Sequence, residues 1–173
     1  MSWGKLLQPD LVLGGPIIGL TADQLTQNNV RGMVLDVDET LVPMSLDAAS
    51  EELKAWFEQI RPVVSLWLVS NNISRTRISR IAEELNVPFL SGARKPSRRK
   101  VRQAVDSMNI PVEQVAMVGD RLFTDVLVGN RLGMFTILVE PMVDPAQAAR
   151  KSMTRSMEVW ISQKLGASLA ESP

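Results

Sequence analysis

The chain has 173 residues, no net charge, 45% hydrophobic and 22% charged residues, values typical of one globular domain with its own core. It has no Cys, His or Tyr, which excludes disulfides, thiolate metal sites, cysteine nucleophiles and histidine bases or ligands. The remaining polar groups suit a hard, oxygen-liganded cation such as magnesium. Because the chain is neutral, we predict no nucleic-acid partner. No apolar run approaches the ~20 residues that span a bilayer, so we expect a cytoplasmic protein.

Residues 1–30 are predicted to form a lead-in segment before the main domain. Trp3, Leu6 and Leu7 lie on a possible short helix, and Thr21 followed by Gln24 fits the start of another. The segment either packs on the sheet or lies at a membrane interface, where Trp and Leu beside a lysine are favoured.

Residues 31–143 alternate apolar strands with amphipathic helices. Strands are predicted up to Asp36 and at 63–69, 87–90, 112–118 and 133–139; helices are predicted at 48–61, 74–85, 97–108 and in part of 122–132. Ser45 or Asp47 is the expected cap of the 48–61 helix. This order predicts an α/β, doubly wound, Rossmann-like fold with a five-stranded parallel sheet and helices on both faces. The connections are too short for a cap domain.

Residues 144–173 are predicted to form a long amphipathic helix, from about 145 to 165, and a tail. One helix face would carry Met153, Met157, Trp160, Ile161 and Leu165. That face packs on the core, on a second copy of the chain, or on lipid; the sequence leaves these alternatives and the oligomeric state open.

Two carboxylates follow the first strand of the core. Asp36 and Asp38 are two residues apart, so in an extended chain they point the same way. Carboxylates so close repel each other unless a cation or a shared proton lies between them. The alternative to a functional role is a structural one, in which the two aspartates form a turn or cap a helix.

Other strand ends carry groups that suit phosphate or metal. Ser70 and Asn71 end the second strand, Lys95 follows the third, and Asp120 ends the fourth. In a parallel sheet these ends share one edge, where ligands bind. Each residue alone has a structural explanation: a turn serine, a solvated lysine with Arg94 as a competitor, or a helix cap. Chance is a poor explanation for the whole ordered set.

Four segments resemble the ordered motifs of the haloacid dehalogenase (HAD) superfamily of phosphatases over about residues 30–140: Asp36-x-Asp38-x-Thr40, Ser70-Asn71-Asn72, Lys95-Pro96 and Gly119-Asp120-x4-Asp125. More narrowly, residues 119–126, 129–133 and 138–141 resemble its subclass IIIA branch of YqeG-like phosphatidylglycerophosphate phosphatases. Glu39 departs from this branch, which usually has Asn there; the departure implies tuning rather than loss of activity.

The resemblance implies a role for each motif residue. Asp36 would be the nucleophile that forms an aspartyl-phosphate, and Asp38 the general acid and base. Ser70, Asn71 and Lys95 would hold the phosphate, with Lys95 also stabilising the transition state. Mg²⁺, or Mn²⁺ in its place, would bind Asp36, the backbone carbonyl of Asp38, and Asp120. Thr40 and Asp125 would support this site. Asp125 as a surface helix residue is the alternative.

The implied function is magnesium-dependent hydrolysis of phosphatidylglycerophosphate to phosphatidylglycerol, a step in anionic phospholipid biosynthesis. Residues 94–102 carry six cations beside the expected site. They suit an anionic membrane inner face, where the protein would be peripheral, or else form a solvated helix face. The alternatives are a capless phosphatase of soluble sugar or nucleotide phosphates or of phosphoproteins, and a non-catalytic binding protein with the same fold.

Overall fold

The computed structural model describes residues 3–142, 156, 158–161 and 163–167. Its parallel sheet contains β1 Leu11–Val12, β2 Gly32–Leu35, β3 Ser65–Val69, β4 Phe89–Leu90, β5 Val115–Gly119 and β6 Phe135–Leu138, in the order β1-β6-β5-β2-β3-β4. The helices are α1 Trp3–Leu6, α2 Ala22–Gln27, α3 Glu51–Ile60, α4 Arg75–Leu85, α5 Arg99–Met108 and α6 Leu127–Leu132. The prediction of a doubly wound α/β fold is confirmed.

The sheet has six strands rather than the five predicted. The additional strand, β1, comes from the lead-in segment and pairs with β6, with Leu11 opposite Ile137. The Asp10 carboxylate reinforces the pairing because it accepts hydrogen bonds from both the backbone amide and the hydroxyl of Thr136, at 2.8 and 2.9 Å. A strand of two residues is too short to produce a recognisable alternation in the sequence.

Alternate residues of the central strands enter two separate cores. In β2, Met33 and Leu35 pack with the apolar faces of α2, α3 and α4, whereas Val34 packs with those of α5 and α6. Both faces of the sheet are therefore covered by helices, as the continuous apolar character of β2 predicts.

The expected cap of α3 is wrong. The helix begins at Glu51, and the Ser50 hydroxyl accepts a hydrogen bond from the Leu53 amide at 3.1 Å. The side chain of Asp47 instead pairs with Arg80 of α4. Any serine or aspartate in the 45–50 loop fits the capping pattern, and only the path of the loop selects Ser50.

The C-terminal helix lies partly outside the described residues, and so do Met153 and Met157 of its predicted apolar face. Among the described positions, Val159 packs beside the buried Leu7 and Leu122, while the side chains of Trp160 and Leu165 are 60% and 41% exposed. The N-terminal α1 lies against the same region, since a Cβ atom on Gly4 would lie 2.3 Å from the Leu165 carbonyl oxygen. The two terminal segments thus form one surface on which Trp3 is also exposed.

The strand order reverses in the middle of the sheet, between β2 and β5. From β2 the chain proceeds to β3 and β4 on one side, and then returns to β5 and β6 on the other. The carboxyl ends of β2 and β5 are therefore adjacent, which is where ligands bind in open α/β sheets. Within the described residues the connections on this side carry no cap domain, and no helix is long and apolar enough to cross a membrane.

Candidate active site

The adjacent ends of β2 and β5 bring together three of the predicted charged residues. Asp36 follows β2, Asp120 follows β5, and Lys95 reaches them from the loop after β4. The Lys95 ammonium lies 2.6 Å from Asp36 Oδ1 and 2.7 Å from Asp125 Oδ1. Lys95 is buried whereas Arg94 is exposed, so Lys95 is the cation that contacts Asp36.

Asp125 is a buried site residue and not a surface residue. The π-helical turn Leu122–Val126 directs its carboxylate back toward Gly119, and a Cβ atom at that position would lie only 2.2 Å from Asp125 Oδ2. The backbone amide of Arg121 also donates to this oxygen, at 3.3 Å. The glycine in the Gly119-Asp120 motif is therefore required for the close approach of Asp125.

Three carboxylates form a cluster that suits a divalent cation. Oxygens of Asp36, Asp120 and Asp125, one from each, all lie within 4.8 Å of one another. The Thr40 hydroxyl lies between two of them, 3.2 Å from Asp36 Oδ2 and 3.2 Å from Asp120 Oδ1. Carboxylate oxygens at such separations are ligands preferred by Mg²⁺ and Mn²⁺.

Burial and crowding shift the pKa values of this cluster. Burial, with the neighbouring carboxylates, raises the pKa of Asp36 to about 7 although Lys95 opposes the shift. Burial, together with Asp125 and Asp36, raises the pKa of Asp120 to about 7. Burial alone would lower the pKa of Lys95, but Asp125 and Asp36 raise it above its usual value, so the lysine stays charged. Without a metal, the carboxyl groups of the cluster resist being ionised together. A bound cation would stabilise their ionised forms.

The Asp38 side chain lies outside the carboxylate cluster. Its Oδ2 accepts a hydrogen bond from the Ser70 hydroxyl at 2.9 Å, and its Oδ1 pairs with the Arg77 guanidinium at 2.5 Å. Both Asp36 and Asp38 line the same open pocket. This separation fits two different roles for the two aspartates.

Ser70 and Asn71 form hydrogen bonds to other residues of the site and its loops. The buried Ser70 hydroxyl, besides donating to Asp38, accepts from the Asn72 amide at 2.9 Å. The Asn71 side chain accepts from the Lys95 amide at 2.6 Å and donates to the Lys95 carbonyl at 3.1 Å. Asn71 thus fixes the loop that presents Lys95, and phosphate binding by Ser70 and Asn71 stays a prediction.

Two charged site residues escaped the sequence analysis. Arginines on a helix such as α4 are typical of a solvated face, but the side chain of Arg77 is largely buried and contacts Asp38. Its position in the first turn of a helix that follows a site strand is the signal that could have identified it. Glu158 of the C-terminal helix lines the pocket and pairs with Arg121 at 3.3 Å; no motif indicated it.

Glu39 has a backbone conformation that would also suit the Asn that the resemblance implies at this position. Its φ of 68° lies in the left-handed region, which Asn tolerates better than most residues. In this chain the Glu39 carboxylate accepts a hydrogen bond from the Met44 amide at 2.7 Å. Both residues line the pocket, so the substitution shapes the rim rather than the charged cluster.

Comparisons with known proteins agree with the motifs. A family model described as HAD-hydrolase-like matches residues 92–159. The YqeG protein of Bacillus subtilis (strain 168), named as a probable phosphatase, is 39% identical over 127 residues, which are 73% of this chain and 73% of that protein. The chain belongs to the HAD-like hydrolase family. The prediction of an enzyme of the HAD phosphatase type is thereby confirmed.

Two relatives of this HAD-like hydrolase are named for a lipid substrate. Phosphatidylglycerophosphate phosphatase 1 of Chlamydomonas reinhardtii is 27% identical over 77% of this chain and 53% of that protein. The Arabidopsis thaliana protein of the same name is 28% identical over 68% of this chain and 36% of that protein. The chain thus spans about half of one relative and about a third of the other.

Solved structures share the fold of this HAD-like hydrolase. The cobalt-bound deoxy-D-mannose-octulosonate 8-phosphate phosphatase of Haemophilus influenzae aligns with a TM-score of 0.52 at 15% identity, over 80% of this chain and 89% of that chain. The 3-deoxy-D-manno-octulosonate 8-phosphate phosphatase of Yersinia pestis aligns with a TM-score of 0.51 at 15% identity, over 84% and 87%. At such identities the likeness extends to the fold alone.

Proposed function

We propose that this chain is a magnesium-dependent phosphomonoester hydrolase that forms an aspartyl-phosphate on Asp36, and that its substrate is phosphatidylglycerophosphate. The observation that carries the chemistry is the buried contact between Lys95 and Asp36, beside Asp120, in an open pocket at the end of β2. A buried cation next to a strand-end carboxylate is suited to an anionic substrate that the carboxylate attacks.

The reaction proceeds in two displacements at phosphorus. An Asp36 oxygen attacks the phosphorus, the bond to the ester oxygen breaks, and Asp38 gives its proton to the departing alcohol. Asp38 then takes a proton from water, whose oxygen attacks the phosphorus of the aspartyl-phosphate. Inorganic phosphate leaves and Asp36 is regenerated. Lys95 stabilises the charge on the phosphoryl oxygens in both steps.

The proposed metal ligands are Asp36, Asp120 and the backbone carbonyl of Asp38, with Asp125 next to them. Carboxylates outnumber cations among the side chains that line the pocket, which by itself disfavours an anionic substrate. A bound divalent cation would neutralise this excess and the developing phosphoryl charge. Asp125 pairs with Lys95 and so supports the site from behind.

Three observations support a lipid substrate. Two relatives are named as phosphatidylglycerophosphate phosphatases. The described residues include no cap domain over the pocket, so a bulky or membrane-held alcohol has access. Trp3, Trp160 and Leu165 are exposed on the surface that the two terminal segments share, and large exposed apolar side chains suit a bilayer interface.

The decisive measurement is phosphate release from phosphatidylglycerophosphate in mixed micelles with magnesium, beside a panel of soluble phosphomonoesters. We expect metal-dependent release from the lipid that exceeds release from every soluble ester. Asp36→Asn should abolish it, whereas Asp106→Asn, an exposed aspartate of α5, should leave it unchanged. Parallel titrations with Mg²⁺ and Mn²⁺ identify the metal that supports turnover.

Release from soluble esters alone would keep the mechanism and discard the lipid. An Asp36→Asn variant with full activity would refute the nucleophile assignment. No release from any ester by folded, metal-loaded protein would favour a binding protein with the HAD fold.

Membrane attachment is tested separately with vesicles. Arg98, Arg99 and Arg102 are exposed, whereas Lys100 is partly buried and donates to the Ser91 carbonyl, so the three arginines are the better targets. Reversing them to Glu should abolish cosedimentation with phosphatidylglycerol vesicles, since each cation contributes about 1 kcal/mol near an anionic surface.

Arg31→Glu serves as the vesicle control. Arg31 is exposed and directly precedes β2, so it lies at the amino ends of the strands and not at the carboxyl ends that carry the site. The variant should leave most of the binding intact. Equal sedimentation of the arginine variant and the unchanged chain would refute electrostatic docking by this helix face.

A further inference from the structure

The guanidinium of Arg77 joins the Asp38 carboxylate to two backbone carbonyls of the loop that precedes α3. Nη1 pairs with Asp38 Oδ1 at 2.5 Å, Nη2 donates to the Pro43 carbonyl at 3.1 Å, and Nε donates to the Leu46 carbonyl at 2.8 Å. All three nitrogens of the side chain are therefore used, on three different acceptors. The side chain is only 13% exposed, so these bonds are shielded from water.

The contact with Arg77 completes the restraint on Asp38. Ser70 binds one carboxylate oxygen and Arg77 binds the other, which holds the plane of the carboxylate. The two carbonyls that Arg77 binds belong to the loop between β2 and α3. This loop also carries Met44, which lines the pocket. A planar fork with fixed donor directions can hold three acceptors at once, whereas an ammonium cannot impose such directions.

We propose that Arg77 is a positioning residue: it aims the Asp38 carboxyl at the ester oxygen and holds it in register with the pocket rim at residues 43–46. This inference rests on the proposed phosphatase function, in which Asp38 gives a proton to the leaving alcohol and takes one from water. Arg77 transfers no proton itself; its bond in the site is to the Asp38 carboxylate. It acts on the proton-transfer steps through the placement of Asp38.

The chain contains a matched control on the same helix. Arg80 lies three residues after Arg77 on α4, nearly one helical turn away. It pairs with Asp47 of the same loop, and both side chains are more than half exposed. Arg80→Gln removes an equal charge and a second tether between α4 and the loop, but it leaves Asp38 untouched. The comparison separates positioning of Asp38 from general anchoring of the loop.

The test compares two esters that differ in their need for a proton. The leaving group of 4-nitrophenyl phosphate departs as a stable anion, whereas the alcohol of glycerol 3-phosphate must be protonated. For Arg77→Gln we expect kcat on glycerol 3-phosphate to fall by about 10²-fold or more, the range of general acid catalysis, and kcat on the aryl ester to fall much less. KM should change little. Arg77→Lys should recover only part of the loss, and Arg80→Gln should behave as the unchanged chain.

A double-mutant cycle makes the test independent of folding losses. In an Asp38→Asn background, Arg77→Gln should cause no further loss on glycerol 3-phosphate, because the group that Arg77 places is gone. A full additional loss there, equal losses on both esters, or full rescue by Arg77→Lys would overturn the inference while leaving the phosphatase function standing. An unchanged chain inert toward both esters and the lipid would overturn both.

Discussion

At the scale of single residues, the pKa values of Asp36 and Asp120 govern how the site responds to pH. Burial, with crowding by other carboxylates, raises both to about 7. A carboxyl group whose pKa is higher in the folded state binds more protons there than in the unfolded chain. Between the two pKa values, the free energy of unfolding therefore falls as pH rises.

We predict that Asp120→Asn reverses this loss in the metal-free protein. In EDTA, the destabilisation by Asp120 should grow as pH rises from 3.8, its ordinary pKa, to about 7, and then level off. The variant should accordingly gain stability relative to the unchanged chain, on the order of a few kcal/mol between pH 5 and pH 8. Urea unfolding at both pH values measures the difference.

Magnesium supplies the complementary arm of this experiment. It should raise the urea midpoint of the unchanged chain at pH 8, because a ligand that binds only the folded state stabilises it, and should do little for Asp120→Asn. Stability curves for the two proteins that stay parallel from pH 5 to pH 8 in EDTA would contradict the crowding argument.

At the scale of elements, the π-helical turn Leu122–Val126 positions a buried carboxylate of the site. The turn follows β5 directly and brings Asp125 over Gly119, where it reaches Lys95 at 2.7 Å. Inserted residues of this kind within helices are frequent at functional sites. Because of this turn, Asp125, five residues after Asp120, can contact Lys95 on another loop.

We predict that Gly119→Ala disrupts this arrangement. The new methyl group would lie 2.2 Å from Asp125 Oδ2, so the turn or the strand must shift. Overpacking of this kind costs about 1–3 kcal/mol, and turnover should fall with it because Lys95 loses its placement. Urea unfolding and phosphate release measure both effects.

Gly19→Ala is the control for this substitution, since nothing lies within 4 Å of a Cβ atom there. It should leave stability and activity nearly unchanged. A Gly119→Ala protein as stable and active as the Gly19→Ala protein would refute the close-approach argument.

At the scale of the whole molecule, the N-terminal segment completes the sheet and adjoins the C-terminal helix. β1 covers the edge of β6, and the Leu13 amide extends the pairing by donating to the Leu138 carbonyl at 3.0 Å. The Asn130 side chain also donates to the carbonyls of Leu6 and Gln8, both at 2.8 Å. β1 then forms this edge of the sheet, and an edge strand of two residues gives another chain little backbone to pair with.

We predict that Asp10→Ala loosens this edge without damaging the site. The substitution removes two hydrogen bonds to the buried Thr136, so stability should fall by about 1–3 kcal/mol. Hydrogen exchange at Leu13 should accelerate, while kcat stays near that of the unchanged chain. Unchanged exchange at Leu13 would show that Asp10 does not secure β1.

Much of the fold and the charged cluster follows from sequence. Apolar runs alternating with amphipathic helices predict the parallel sheet, and strand-end residues predict the edge at which Asp36, Lys95 and Asp120 meet. These inferences succeed because side-chain periodicity reports which surfaces are buried, and parallel strands align their carboxyl ends. The extra strand β1 and the start of α3 were missed because two-residue strands and loop paths leave no periodic signal.

The class of fold, the order of the motifs and the residue types available for chemistry are all evident in the amino-acid sequence. Three features depend on how the elements pack: Arg77 holds Asp38, Asp125 pairs with Lys95, and Glu158 lines the pocket. Arg77 and Asp38 are 39 positions apart, and their contact depends on the distance between α4 and the end of β2. Periodicity identifies a buried or exposed face, but which charged groups meet across two faces is set by how the elements pack.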